Sequence, residues 1–163
     1  MGNYVDSWFS YETLLTATWS SDVGVVVTSS VLPMAWTRAL KRIGRDLRVR
    51  RFNGAIAHIR FKAEHLQIRE DDEQDYVWLS SDVTPEGGVS HRMGHSGEGV
   101  LATAGEEAVA VSCATLVQDQ VERTGIMWPR GRAGGAMGAV LIDGVATRSG
   151  RDGEQAAIGS LPA

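Results

Sequence analysis

Chemistry that could be built from this chain begins with four histidines, His58, His65, His91 and His95. His91 and His95 stand four apart, and on a helix that spacing aims both imidazoles at one metal ion. Glycines at 87, 88, 94, 97 and 99 surround them, and an irregular loop fixes no direction for either ring. A third ligand would have to come from Asp82, Glu86, Glu98 or one of the distant His58 and His65. The pair therefore reads as two solvated loop histidines, and neither a metal nor another cofactor is expected. A small enzyme using the 84–99 loop, with His91 or His95 as acid–base, is the alternative this segment offers.

Other motifs fall short of their chemistry. Ser96 has Gly94 two residues before it but Glu98 two residues after it. A nucleophile elbow needs glycine at both positions and a strand leading into the turn. The run Gly131-x-x-Gly134-Gly135-x-x-Gly138 lacks the Gly-Lys-Ser/Thr ending of a phosphate loop. It also lacks the strand-to-helix setting of a dinucleotide fingerprint, so it reads as a connector. Cys113 lies on the apolar stripe of a helix, with Val109, Ala110, Leu116 and Val117 at i±3 and i±4. No cation among these neighbours would lower its pKa, so a buried, inert thiol is expected.

Charge is more informative. Arg38, Lys41, Arg42, Arg45, Arg48, Arg50 and Arg51 place seven cations in fourteen residues, against Asp46 alone. Arg38, Arg42 and Arg45 share the helix face opposite Trp36 and Leu40. Such a face can be solvated, can grip an acidic protein partner, or can hold phosphates. Glu70 to Asp75 supplies five acids, which could also lie against the arginines from within the fold, although exposed pairs contribute only about 0–1 kcal/mol each. Arg38, Arg42, Arg45, Arg48, Arg50 and Arg51 are the candidate partner-binding residues. A protein partner or self-association is favoured over nucleic acid, because the net charge is −4 and few aromatics interleave the arginines.

The elements that must position these residues follow from periodicity. Tyr4, Trp8, Tyr11 and Leu15 fall on one helical face, and the spacing predicts an aromatic N-terminal helix over 4–19, pulled towards strand by Thr13, Thr16 and Thr18. It would be core or interface. Val23 to Thr28 reads as a strand. Ser29 and Ser30 then offer an N-cap and Pro33 a first turn for an amphipathic helix over 32–46, with Trp36, Leu40, Ile43 and Leu47 inward. Arg48 to Phe52, Ala55 to Phe61, His65 to Arg69 and Tyr76 to Leu79 read as strands, with a hairpin turn at Asn53-Gly54. Thr84 to Gly99 is a long loop. Thr103-x-x-Glu106 is a capping-box pattern opening a helix over 104–123, its inner stripe Val109, Cys113, Leu116, Val117 and Val121, closed by Gly125. Val140 to Ile142 and Val145 to Thr147 form a hairpin about Asp143-Gly144, and a short strand follows near 156–158.

Composition sets the class. The chain has 163 residues, 43% hydrophobic and 22% charged, with one cysteine. That excludes whole-chain disorder and a disulfide scaffold, and no apolar run of about 18 residues would span a membrane. Fourteen arginines against two lysines, with abundant Ala and Gly, suggest a high-GC bacterium or its phage, and the lone cysteine a reducing cytoplasm. Gln118-Asp119-Gln120-Val121, Trp128-Pro129 and a Gly-rich hairpin ending Ile158-Gly159 resemble the tail of short actinobacterial proteins, though Arg130-Gly131 stands where Cys-Pro and His-Pro pairs would follow. That resemblance implies no activity. The expectation is a single α+β domain over 1–163, an antiparallel sheet of four to six strands with two amphipathic helices on one face, and a Gly-rich hairpin region over 130–163. Its expected role is non-enzymatic interaction within an oligomer or larger assembly, cytoplasmic or built into a particle assembled there.

Overall fold

A computed structural model describes residues 12–49, 56–66, 75–87 and 97–162. The fold is α+β. Five antiparallel strands, β1 (Thr13–Ser20), β2 (Gly24–Ser30), β3 (Ile56–Leu66), β4 (Tyr76–Pro85) and β5 (Gly97–Leu101), pair in the order β2-β1-β3-β4-β5. Helix α1 (Met34–Val49) follows β2, and α2 (Glu106–Arg123) follows β5. A second antiparallel sheet, β6 (Gly138–Ile142), β7 (Val145–Ser149) and β8 (Gln155–Ala157), closes the chain. Helix α2 touches β4 and β5 of the large sheet and β6 and β7 of the small one, and it also packs on α1.

Alternation builds the sheet. Leu15, Ala17 and Trp19 of β1, Ile59, Phe61 and Ala63 of β3, and Val77, Leu79 and Val83 of β4 are buried. This corrects the expected aromatic helix where it is described: residues 13–20 are strand. The threonines at 13, 16 and 18 prevail because every second residue between them is apolar and faces the helices. The aromatics at 4, 8 and 11, on which the helical period rested, lie outside the described residues. The two strands expected over 55–61 and 65–69 are one strand, β3, because Ala63 carries the buried alternation through Lys62 and Glu64. The expected strand at 48–52 is also corrected where it is described, over 48–49: α1 runs to Val49, taking in Arg48. The turn at Asn53-Gly54 lies outside the described residues. The expected loop over 84–99 is shorter at both ends, since β4 reaches Pro85 and β5 begins at Gly97.

Helix α1 lays Trp36, Leu40, Ile43 and Leu47 into the core as the period requires. Ser30 does not cap it; its Oγ accepts the Leu32 amide at 3.2 Å, in the turn that precedes Met34. Gly44 sets how closely α1 approaches the sheet. A Cβ there would lie 2.7 Å from Val25 Cγ2, and the Gly44 carbonyl accepts the Trp19 indole N–H at 3.0 Å. Helix α2 starts later than expected. Gly105 is its N-cap without any side-chain cap, because Glu106, the residue that would complete a box with Thr103, is turned towards α1. At the other end Gly125 has φ +87° and donates to the Glu122 carbonyl, the C′ arrangement that glycine favours. The Asp143-Gly144 turn has both residues at positive φ, as a type I′ hairpin demands.

Candidate functional site

The basic face of α1 is the candidate site. Arg38, Lys41, Arg42 and Arg45 line one wall of an open cleft of about 270 Å³, with Glu106 beside them and the C-terminal turn Ala157–Ser160 opposite. The helical period brings the cations to one side, and the turn reaches them because α1 holds it. Asp46, one turn along α1, accepts the Gly159 amide at 3.0 Å and the Leu161 amide at 3.2 Å. Arg42 Nε donates to the Ile158 carbonyl at 2.8 Å.

The cations divide into two kinds. Arg42 is mostly buried, and its Nη1 meets Glu107 Oε1 at 2.9 Å and Glu106 Oε1 at 3.4 Å. Arg38, more than half exposed, pairs with Glu106 Oε2 at 2.9 Å. Glu107 in turn accepts the Ala146 amide through Oε2 at 2.7 Å. One small network thus ties α1, α2, β7 and the C-terminal turn together. Lys41, Arg45 and Arg48 are exposed and make no ion pair among the described residues. Arg50 and Arg51 lie outside them.

Among the described residues, the acids that lie against the arginines of α1 are Glu106 and Glu107. Of the acidic connector only Asp75 is described, and it stands 3.5 Å from His65 Nε2. Sequence spacing gave no signal for the α1–α2 pairing, which depends on the first half of α1 meeting the first turn of α2 across the fold. Both glutamates do sit in the first turn of α2, where negative charge is favoured by the helix dipole.

These contacts imply separable outcomes. Arg42→Ala removes three polar contacts from a largely buried guanidinium, and a loss of about 1.5–3 kcal/mol is expected by urea unfolding. Arg45→Ala touches none of them and should stay within about 0.5 kcal/mol of the parent.

Acid should act through the same network. Hydrogen bonding from Arg42 holds the Glu107 carboxyl below its ordinary value of 4.5. Its contribution is therefore present above that value and is lost as pH falls through the lower folded pKa. Asp46 behaves oppositely: burial raises it above 3.8 despite two backbone N–H bonds and the charge of Arg148. Its ionisation above that range favours the unfolded chain. Glu107→Gln is accordingly expected to flatten the fall in the urea midpoint between about pH 5 and pH 3, with Asp46 left as the opposing group.

The histidines of the catalytic alternative are described only in part. His58 and His65 are seven residues apart on β3, roughly 23 Å by strand rise, and do not converge. His91, His95 and Ser96 lie outside the described residues. Among the described residues no group of three or more His, Cys, Asp or Glu side chains is placed to hold a metal. Nor is any helix there long and apolar enough to cross a membrane. The 131–138 segment is a hydrogen-bonded loop: Gly131 and Gly135 bond across it, and the Arg132 amide donates to Glu154.

A pair that sequence reading did not find lies behind the cleft. Arg148 of β7 is fully buried with Asp46, its Nε 3.6 Å from Oδ2. The guanidinium stacks over the Trp128 ring at 4.5 Å. Cys113, buried as expected, does have a cation near enough to interact, supplied by β7 rather than by its own helix.

No protein-family model, curated protein or solved structure matches this chain.

Proposed function

We propose that this is a non-enzymatic interaction protein that works within an oligomer or larger assembly, docking an acidic protein partner against the basic edge of α1. The observation that carries this reading is the pairing of free cations with a concave surface: Lys41 and Arg45 are exposed, unpaired among the described residues, and flank the cleft closed by Ala157–Ser160. Arg38 contributes while held by Glu106, whereas Arg42 serves the fold. Separating these roles narrows the docking set to Arg38, Lys41, Arg45 and Arg48, with Arg50 and Arg51 as its continuation in sequence. A component of a phage or injection particle, or the neutralising partner of a toxin, is the kind of part this describes. Its setting would be the cytoplasm or a particle assembled there.

Glu106 at the cleft favours a partner that brings a few well-placed carboxylates over a polyphosphate chain, which would meet it with repulsion. The test is light scattering on the purified protein together with its Lys41→Glu/Arg45→Glu variant. Self-association that dissolves in the variant, without loss of thermal stability, makes the partner a second copy. A monomer in both places the partner elsewhere. Retention on immobilised DNA or RNA that weakens steeply with salt and vanishes in the variant would replace this reading with nucleic-acid binding.

A further inference from the structure

Where α1, α2 and the small sheet meet, the chain buries a guanidinium whose one carboxylate neighbour among the described residues is Asp46, at the long distance of 3.6 Å. Arg148 has no exposed surface, and its Nε, Nη1 and Nη2 have no hydrogen-bond partner among the described residues. The indole Nε1 of Trp128, also buried, has none either. These atoms carry five guanidinium hydrogens and one indole hydrogen. Asp46 stands beside them, but its Oδ2 is 3.6 Å from Nε, well beyond a charge-assisted hydrogen bond. Both of its oxygens already accept backbone amides from Gly159 and Leu161. The Trp128 ring attracts the guanidinium face and accepts none of its in-plane hydrogens.

Buried donors are normally paired, and a desolvated cation without acceptors is costly. A water molecule can accept from such donors, but it must also place two hydrogens of its own. Among the described side chains, water could place its hydrogens only on the remaining lone pairs of Asp46, whose oxygens each already accept one backbone amide. An anion accepts from every side and places no hydrogen. We propose that Arg148 and Trp128 form an internal binding site for a small monovalent anion of the halide class, enclosed beneath the C-terminal turn. The groups facing it are the Asp46 carboxyl and the Cys113 thiol. Among the described residues Asp46 is the one opposing charge, and burial already disfavours its ionised form. The ion would join β7 to the Trp128 segment as the Arg42 network joins the helices. It is a site distinct from the docking face, because neither Arg148 nor Trp128 lines the cleft.

Sodium bromide is the probe. Crystals of the full chain grown with bromide are expected to show an anomalous peak within hydrogen-bond distance of the Arg148 guanidinium and Trp128 Nε1. Ordered waters there without anomalous signal would overturn the site. In solution, bromide is expected to raise Tm saturably by about 2–4 °C over gluconate at equal ionic strength. Arg148→Met removes the site but endangers the fold, so Trp128→Phe, which keeps a ring under the guanidinium, is the second variant. Its half-maximal stabilisation should move to roughly tenfold higher bromide. Equal shifts in both salts count against the proposal. So does a crystal peak without the solution effect, which would mean an adventitious ion only.

Discussion

Replacing Asp46 with alanine is expected to destabilise the protein by about 3–5 kcal/mol, the summed cost of two amides left without an acceptor and a buried guanidinium left without its neighbouring carboxylate. In a chain of this length that corresponds to a fall in Tm of roughly 10 °C. Three losses coincide at one position. The Gly159 and Leu161 amides lose their acceptor, and Arg148 loses the one carboxylate beside it among the described residues. The C-terminal turn also loses its hold on α1, so the wall of the cleft should loosen with the core. Amide exchange at Gly159 and Leu161 would register this directly, rising well above that of the strands. Replacing the pair together, Asp46→Asn with Arg148→Met, should recover much of the loss, because no uncompensated charge remains. A double variant as unstable as Asp46→Ala would mean that the turn contacts, not the charge, dominate.

A comparable effect is expected at Trp36. Its side chain is fully buried in the core cluster, and its indole N–H donates to the Ala102 carbonyl at 3.2 Å. That bond ties the first turn of α1 to the segment between β5 and α2. Trp36→Ala empties a large volume and should cost about 3–5 kcal/mol by chemical denaturation. Trp36→Phe keeps most of the apolar contact and drops the donor, so a loss near 1 kcal/mol is expected. Similar losses in the two variants would show that the hydrogen bond, rather than the packing, anchors the helix start.

The large features of the fold were legible because they rest on period. Trp36, Leu40, Ile43 and Leu47 mark α1, and Val109, Cys113, Leu116, Val117 and Val121 mark α2; all nine are buried. Asp143-Gly144 and Gly125 marked their turns through chemistry that few residues supply. What failed had competing periods or lacked a period. Leu15 fits both a helical stripe and a strand face, and the neighbouring threonines decided the matter only once β3 and β2 were alongside. Gly97–Leu101 holds two glycines and reads as loop, yet it pairs with β4 through its backbone.

The site was half legible. The cations of α1 could be found by counting, but their division into structural and free members depends on Glu106 and Glu107, more than sixty residues away. Asp46 did leave a trace. It stands three residues after Ile43, on the apolar stripe, where a carboxylate must have partners. Arg148 left another, two residues after the buried Ala146 and on the same strand face. Neither trace could have named the other without the fold.

The most direct measurement is the size and composition of the complex that the protein forms in its own host, isolated with the native chain and with Lys41→Glu/Arg45→Glu. The expected result is a discrete complex containing an acidic protein in fixed ratio, dissociated by salt and absent with the variant while the variant remains folded. A native chain that stays monomeric and unaccompanied, or a complex indifferent to both salt and the two reversed charges, would contradict docking through α1.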